Sequence, residues 1–245
     1  MRIVWTLTVL LVMTSPAAAQ PSNQYLLLEG HPVKGYIEIP ADVLLETPEM
    51  TVEAWVSVRD AREGACSSIA GNGYRTGWWL GLCGTSMRSY FNGLTSAKTG
   101  GIIADEPEEW VHIAAVTDGL TRRHYINAIL VYESAETAPE STSTQSIRIG
   151  SDPDWDYMIQ GRIDDLRIWK VARTATQIRQ TMYARYVPEA DDVNGRFQSL
   201  EAWYRFEGDA MDSWRTHHGT IIGTGIGFEA GVGFRPPGRR RSVGH

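Results

Sequence analysis

The stretch Thr51-Val52-Glu53-Ala54-Trp55-Val56-Ser57-Val58 decides the fold class. β-branched and aromatic side chains dominate it, and these pack well on a pleated, half-buried surface but lose rotamer freedom in a helix. The same signature recurs at residues 36–39, 78–82, 110–116, 124–131, 146–149 and 163–169, each of strand length and bounded by Gly, Pro or Asp clusters. No run of twelve or more shows a clean helical stripe. One short helix is predicted from Thr174, whose hydroxyl caps the turn while Gln177 reaches back from three residues on, ending near Tyr183. The chain therefore reads as all-β: antiparallel sheets packed face to face, with Trp55, Trp110 and Trp169 in the core.

Composition bounds what such a chain can do. It has 245 residues, 42% hydrophobic and 21% charged, which excludes a disordered or collagenous polymer and allows one large core. The net charge of −6 argues against a nucleic-acid partner, because neutralising phosphates needs a concentrated basic surface. Arg2, the apolar run 3–13 and Ala17-Ala18-Ala19 read as a signal peptide over residues 1–19, cleaved before Gln20. That run is shorter than the ~20 apolar residues a membrane span needs, so the reading is secretion, extracellular or periplasmic, without membrane insertion.

Export makes a disulfide between Cys66 and Cys83 the expected state. Gly71-Asn72-Gly73 and Thr76-Gly77 bracket Tyr74, so a hairpin centred there sets residues 66 and 83 nearly opposite. Closing a loop of this length contributes about 3 kcal/mol in the chain-entropy view.

Several motifs arrive in a recognisable order: Thr51-Val52-Glu53-Ala54-Trp55-Val56, then Trp110-Val111-His112-Ile113-Ala114 with Asp118-Gly119, then Ile147-Arg148-Ile149-Gly150, then Gly161-Arg162-Ile163-Asp164-Asp165-Leu166-Arg167-Ile168-Trp169. This order resembles laminin-G-like, concanavalin-A-like jelly-roll domains, over roughly residues 25–185. The resemblance implies an all-β, two-sheet antiparallel jelly-roll sandwich spanning residues 20–190, with one short helix after the last main strand. It also implies a binding role toward glycans or proteins, often with Ca²⁺. Two departures stand out: Lys34-Gly35 replaces the family's second acidic pair, and Ala128 follows Asn127 where the family's hairpin has Gly. Alanine suits the positive φ of a tight turn poorly, so a looser or differently turned hairpin is expected. Leu200-Glu201-Ala202-Trp203-Tyr204-Arg205-Phe206, Asp212-Ser213 and His218-Gly219-Thr220-Ile221-Ile222-Gly223 resemble the strand and loop that normally open such a domain. Residues 195–230 either complete the sandwich from the C-terminal end or begin a truncated second repeat; residues 231–245 read as a flexible basic tail.

Candidate site residues follow from face and loop. Leu80 and Leu82 set the inward phase of their strand, which sends Trp78 inward and turns Trp79 to the other face with Cys83. An indole on that face suits a sugar's apolar C–H surface, and Tyr74, Trp155 and Tyr157 lie in loops able to line the same edge. Asp164 shares alternation with Leu166 and Ile168; if that face is the core, its carboxylate must be hydrogen-bonded, paired or metal-bound, with Glu29 as co-ligand by resemblance and Ca²⁺ as the ion. Asp152, Asp154 and Asp156 alternate in a loop but lack the glycine and closing glutamate of a calcium loop. Asp164 and Asp165, being adjacent, should face opposite ways and cannot share a glycosidic bond, and no nucleophile elbow or zinc-protease motif occurs. The functional expectation is a secreted, non-catalytic module that binds a glycan or glycosylated surface. The alternatives are a protein-interaction or adhesion module, with a cell-surface or extracellular protein as partner, and a diverged glycoside hydrolase.

Overall fold

The computed structural model describes residues 23–41, 48–59, 66–73, 76–92, 97–102, 109–137, 142–154, 157–184 and 197–231. The proposed signal peptide, Tyr74, Trp155 and Asp156 lie outside the described residues. Two antiparallel sheets pack face to face. The first runs β10 (Ile129–Ala135), β9 (Thr121–Ile126), β8 (Val111–Asp118), β3 (Glu49–Val58), β12 (Gly161–Trp169), β1 (Gln24–Leu28), β15 (Ile226–Ala230), with β13 (Leu200–Tyr204) also paired to β12. The second runs β14 (Thr220–Gly223), β2 (Gly35–Ile39), β11 (Ile147–Ile149), β4 (Cys66–Gly71), β5 (Trp78–Cys83), β6 (Ser86–Phe91), β7 (Ala97–Ile102). Helix α1 (Ala175–Thr181) follows β12, and Thr174 and Gln177 form the reciprocal cap that their spacing predicts.

Period-two alternation builds the inter-sheet core: Val52, Ala54 and Val56 of β3 and Ile113 and Ala115 of β8 face Ile37 and Ile39 of β2 and Trp78, Leu80 and Leu82 of β5. The tryptophans expected there are mostly elsewhere. Trp55 is buried on the outer face of the first sheet, under α1, where its Nε1–H donates to the Met182 carbonyl at 2.7 Å. Trp169 is buried in a third cluster with Phe197, Leu200, Trp203 and Trp214. Trp110 is only partly buried, edge-on to Tyr25 at 5.4 Å. Burial was legible for Trp55 and Trp169; the side of the sheet was not, because both faces of this sheet are covered.

Two turns also depart from expectation. The run 124–131 is divided between β9 and β10 by Asn127 and Ala128, both at positive φ (49° and 59°), so the tight turn forms without glycine. Ala128 is fully buried against the Trp55 and Ile178 cluster, so its methyl gains packing that a glycine would forgo.

In β12 the pairing with β3 slips between Asp164 and Arg167, and Asp165 adopts φ 49°. This bulge inverts the alternation: Ile163 faces the core before it, Leu166 and Ile168 after it. Asp164 and Asp165 therefore both lie on the outer face of the first sheet, which corrects the expectation that Asp164 shares a face with Leu166 and that the two acids diverge.

Residues 200–230 contribute to both sheets. β1 flanks the first half of β12 and β13 the second half, while β15 closes the free side of β1 and β14 the free side of β2.

Candidate functional site

The outer faces of the two sheets differ. That of the first is roofed by α1 and residues 197–214, which form the second and third hydrophobic clusters. The second sheet's outer face carries no such cluster among the described residues; its side chains include Tyr36, Glu38, Arg148, Trp79, Arg88 and Tyr90. A pocket of about 200 Å³ opens there, lined by Trp79, Tyr90, Arg88, Asp152, Tyr157 and the Cys66–Cys83 disulfide. Cys66 and Cys83 are directly opposed across β4 and β5, as the hairpin spacing predicts.

Local backbone explains the shape. Trp79 points outward as its phase requires, but it lies flat on the sheet and is only 2% exposed. Gly81 makes this geometry available: a Cβ there would fall 2.2 Å from the indole Cζ2 and 2.4 Å from the Ser67 carbonyl. Trp79 is thus a pocket wall with Tyr90 edge-on to it (centroids 5.8 Å, 66°), not an open platform. Tyr157, 36% exposed, borders the opening as the loop reading expects. Asp152 is buried, and its Oδ1 accepts the Asp154 amide at 2.7 Å, fixing the loop; Asp154 turns away to accept from Gln145 Nε2 at 2.8 Å. Arg88 and Tyr90, which the sequence reading missed, come from β6 in register with Gly81 and Trp79. Their alternation was visible in Met87-Arg88-Ser89-Tyr90, but that β6 pairs with β5 was not.

The Asp164 and Glu29 pair does not fit a shared cation. Asp164 lies beside Tyr25 in the β1–β12 register, four residues from Glu29, which places the two about 13 Å apart along the strand. Glu29 is exposed, whereas Asp164 is buried and its Oδ1 accepts the Asp165 amide at 2.8 Å. Among the described residues no group of three or more His, Cys, Asp or Glu side chains is arranged to hold a metal ion.

Asp164 and Asp165 instead form a buried acid pair. Burial, then the neighbouring Asp165 charge, pushes the Asp164 carboxyl well above the usual carboxylate range. Burial also raises Asp165, against the pull of Arg167 and of the Trp203 indole N–H, which donates to it at 2.5 Å. A carboxyl raised in the folded state binds more protons there than when unfolded, so its contribution is complete below the ordinary carboxylate pKa and is lost as pH rises through the folded value. His112 and His124 act oppositely: burial lowers both, His124 to about 3, so they remove stability as pH falls below about 6.5. Asp164→Asn keeps an acceptor for the Asp165 amide and removes one charge. We expect it to be more stable than wild type by on the order of 1–2 kcal/mol at pH 8, a gap that closes toward pH 4. Thermal melts of both proteins across that range check this; parallel curves would disprove it.

Comparison with known proteins fits this architecture. Residues 31–179 match the Laminin_G_3 family model of the concanavalin A-like lectin/glucanases superfamily. The chain belongs to this family. Pappalysin-1 of Mus musculus is 24% identical to this Laminin_G_3 chain over 171 residues, which cover 61% of it and a tenth of pappalysin-1. Among solved structures, a candidate carbohydrate-binding protein from Bacteroides ovatus superposes with TM-score 0.64 at 16% identity, covering 86% of this chain and 60% of that one. An SAP-like pentraxin from Limulus polyphemus gives 0.54 at 15% identity, covering 66% and 82%. The binding domain of Paraclostridial mosquitocidal protein 1 gives 0.51 at 15%, covering 63% and 42%. At these identities the likeness is one of fold.

Proposed function

We propose that this Laminin_G_3 chain is an exported, non-catalytic module that binds a glycan in the Trp79 pocket. The observation that carries the reading is the lining itself: Tyr90 and Tyr157 offer aromatic surface to a sugar ring above the Trp79 wall, and the Arg88 guanidinium offers donors for its hydroxyls. A volume of about 200 Å³ suits a single ring. The names of the Bacteroides ovatus and mosquitocidal-protein neighbours, carbohydrate-binding and binding domain respectively, support a binding role. The disulfide supports an oxidising destination. Hydrolysis of a glycosidic bond commonly uses two carboxyls flanking it, and among the described lining residues Asp152 is the one carboxylate. The Asp164 and Asp165 pair sits buried on the opposite sheet.

A glycan array on the mature protein, with Tyr157→Ala and Arg88→Ala beside it, tests the reading. Each variant is expected to lose about tenfold or more in affinity for whatever sugar wild type retains, with an unchanged melting temperature. Full retention by both would refute the pocket. A second reading, a protein partner, is favoured by the exposed edge-strand residues Ile129 (62%), Leu130 (46%) and Val131 (39%). Loss of a partner protein on Leu130→Lys, with sugar binding absent, would support that alternative.

A further inference from the structure

We infer that two copies of this chain pair through β10, antiparallel across a two-fold axis at Tyr132, so that their first sheets join into one; the inference does not depend on what the Trp79 pocket takes. β10 ends the first sheet and is bonded to β9 on one side. On its other side residues 129–135 make no backbone hydrogen bond among the described residues. A row of unpaired N–H and C=O groups is a template for a further strand, and proteins blunt such edges with Lys, Pro or a charge turned inward. Ile129, Leu130, Val131 and Tyr132 carry none of these, and the first three are 62%, 46% and 39% exposed. The one blunting device present is the bulge at Val131, and its extra residue is apolar.

Phase fixes the register, because residues set against each other in an antiparallel pair lie on one face. Leu130 stands against Tyr125, a member of the cluster under α1, and Glu133 against Arg123, two residues before Tyr125 on the same strand; both therefore point to the outer face. Tyr132 stands against His124 and points the other way. With Val131 as the extra residue, a self-pairing that keeps faces together sets Tyr132 against its own symmetry mate. Leu130 then meets Glu133 of the second copy, and Ile129 meets Ser134 of the second copy. A two-fold axis makes each contact twice, so one self-complementary patch suffices.

Charge agrees with that register and selects the occupant. Arg179, exposed on α1, donates to the Ala128 carbonyl at 3.2 Å and meets no carboxylate among the described residues. It holds a cation beside the first residue of β10. Glu133, with its side chain 51% exposed, lies toward the other end of the strand and accepts from Arg123 Nε at 2.6 Å. Antiparallel pairing brings the acidic end of each strand to the Arg179 end of the other. Such a match is internal to this chain, so a second copy satisfies it where an unrelated strand need not. Two seven-residue strands bury less than the ~1,200 Å² at which standard interfaces begin, so association in the micromolar range is expected.

Sedimentation of the full mature chain between about 1 and 100 µM tests this, with a melting curve for each protein. The wild-type weight-average mass is expected to climb toward twice that of the monomer. Leu130→Asp, which sets a carboxylate against Glu133 of the second copy, should abolish the rise. Arg179→Glu and Glu133→Lys should each raise the dissociation constant about tenfold and leave the melting temperature of dilute protein unchanged. Mixed in equal amounts, these two variants should associate as tightly as wild type, because each supplies the charge that the other's contacts lack. A wild-type chain that stays monomeric at about 100 µM overturns the inference. So does a dimer indifferent to all three substitutions, or a mixture no tighter than its two components.

Discussion

Glu53→Ala is expected to destabilise the chain by about 3–5 kcal/mol, the scale of breaking a buried ion pair from one side, and to lower its melting temperature by about 10 °C. Glu53 is fully buried on the outer face of β3. Its Oε1 accepts from Arg173 Nη1 at 2.8 Å and from Trp169 Nε1 at 3.0 Å, and Arg167 Nη1 stands 3.8 Å away. Both guanidiniums are out of solvent and held by backbone carbonyls: Arg167 donates to those of Thr181 and Ala184, Arg173 to that of Gln177. Each also stacks on an indole, Arg167 on Trp203 at 4.3 Å and Arg173 on Trp169 at 3.7 Å. Removing the Glu53 carboxylate leaves Arg173 without its anion and Arg167 with Asp165 alone, whose Oδ1 lies 3.3 Å from Nη2, so two cations face each other in a dry site and α1 is no longer tied to the sheet through Glu53. Calorimetry of Glu53→Ala checks this. Replacing Glu53, Arg167 and Arg173 together by apolar residues of similar volume should recover much of the loss, because desolvation then vanishes along with attraction. A Glu53→Ala protein melting within 2 °C of wild type would show the network contributes nothing measurable.

That network also shows where the sequence stopped being readable. The strands were legible because alternation and β-branching are local, and the helix because capping needs only Thr174 and Gln177. A glutamate at the centre of Thr51-Val52-Glu53-Ala54-Trp55-Val56 looks like a solvent-facing position of a one-sided sheet. Only the later residues that roof it, Arg173 and the Trp203 segment, show that the outer face is a second core. The bulge at Asp165 was hidden for a related reason. It is specified by the pairing of β12 with β3, and local alternation simply carried the wrong phase through Asp164.

At the pocket, Trp79, Tyr157 and the disulfide were readable from phase, loop composition and spacing. Gly81 was the overlooked residue: without a Cβ it lets the indole lie down, which converts an expected platform into a wall. Arg88 and Tyr90 depend on which strands are neighbours, information that resides in long-range pairing. The Asp164 and Glu29 expectation failed on distance along the strand, a quantity that resemblance by motif order does not carry.

Deleting residues 195–245 is expected to abolish cooperative folding of the remaining chain. Three strands leave together. β1 loses its partner on one side, β2 becomes an edge, and the second half of β12, including Leu166 to Trp169, loses β13. Phe197, Leu200, Trp203 and Trp214 leave the third cluster, exposing Trp169, and Asp165 loses the Trp203 indole that donates to it. Several large buried side chains are involved, and truncating even one such aromatic costs about 3–5 kcal/mol, so the sum exceeds the 5–15 kcal/mol a domain typically holds. Trp203→Ala should by itself lower the melting temperature by several degrees, since its ring stacks on Phe197 at 5.5 Å and on Arg167. If residues 195–231 complete this sandwich, adding them as a separate peptide should restore β-sheet circular dichroism and a cooperative melt to the truncated chain. A truncated chain that melts like the full-length protein would mean that the segment belongs to a separate repeat, and that the strands it lends to both sheets are dispensable.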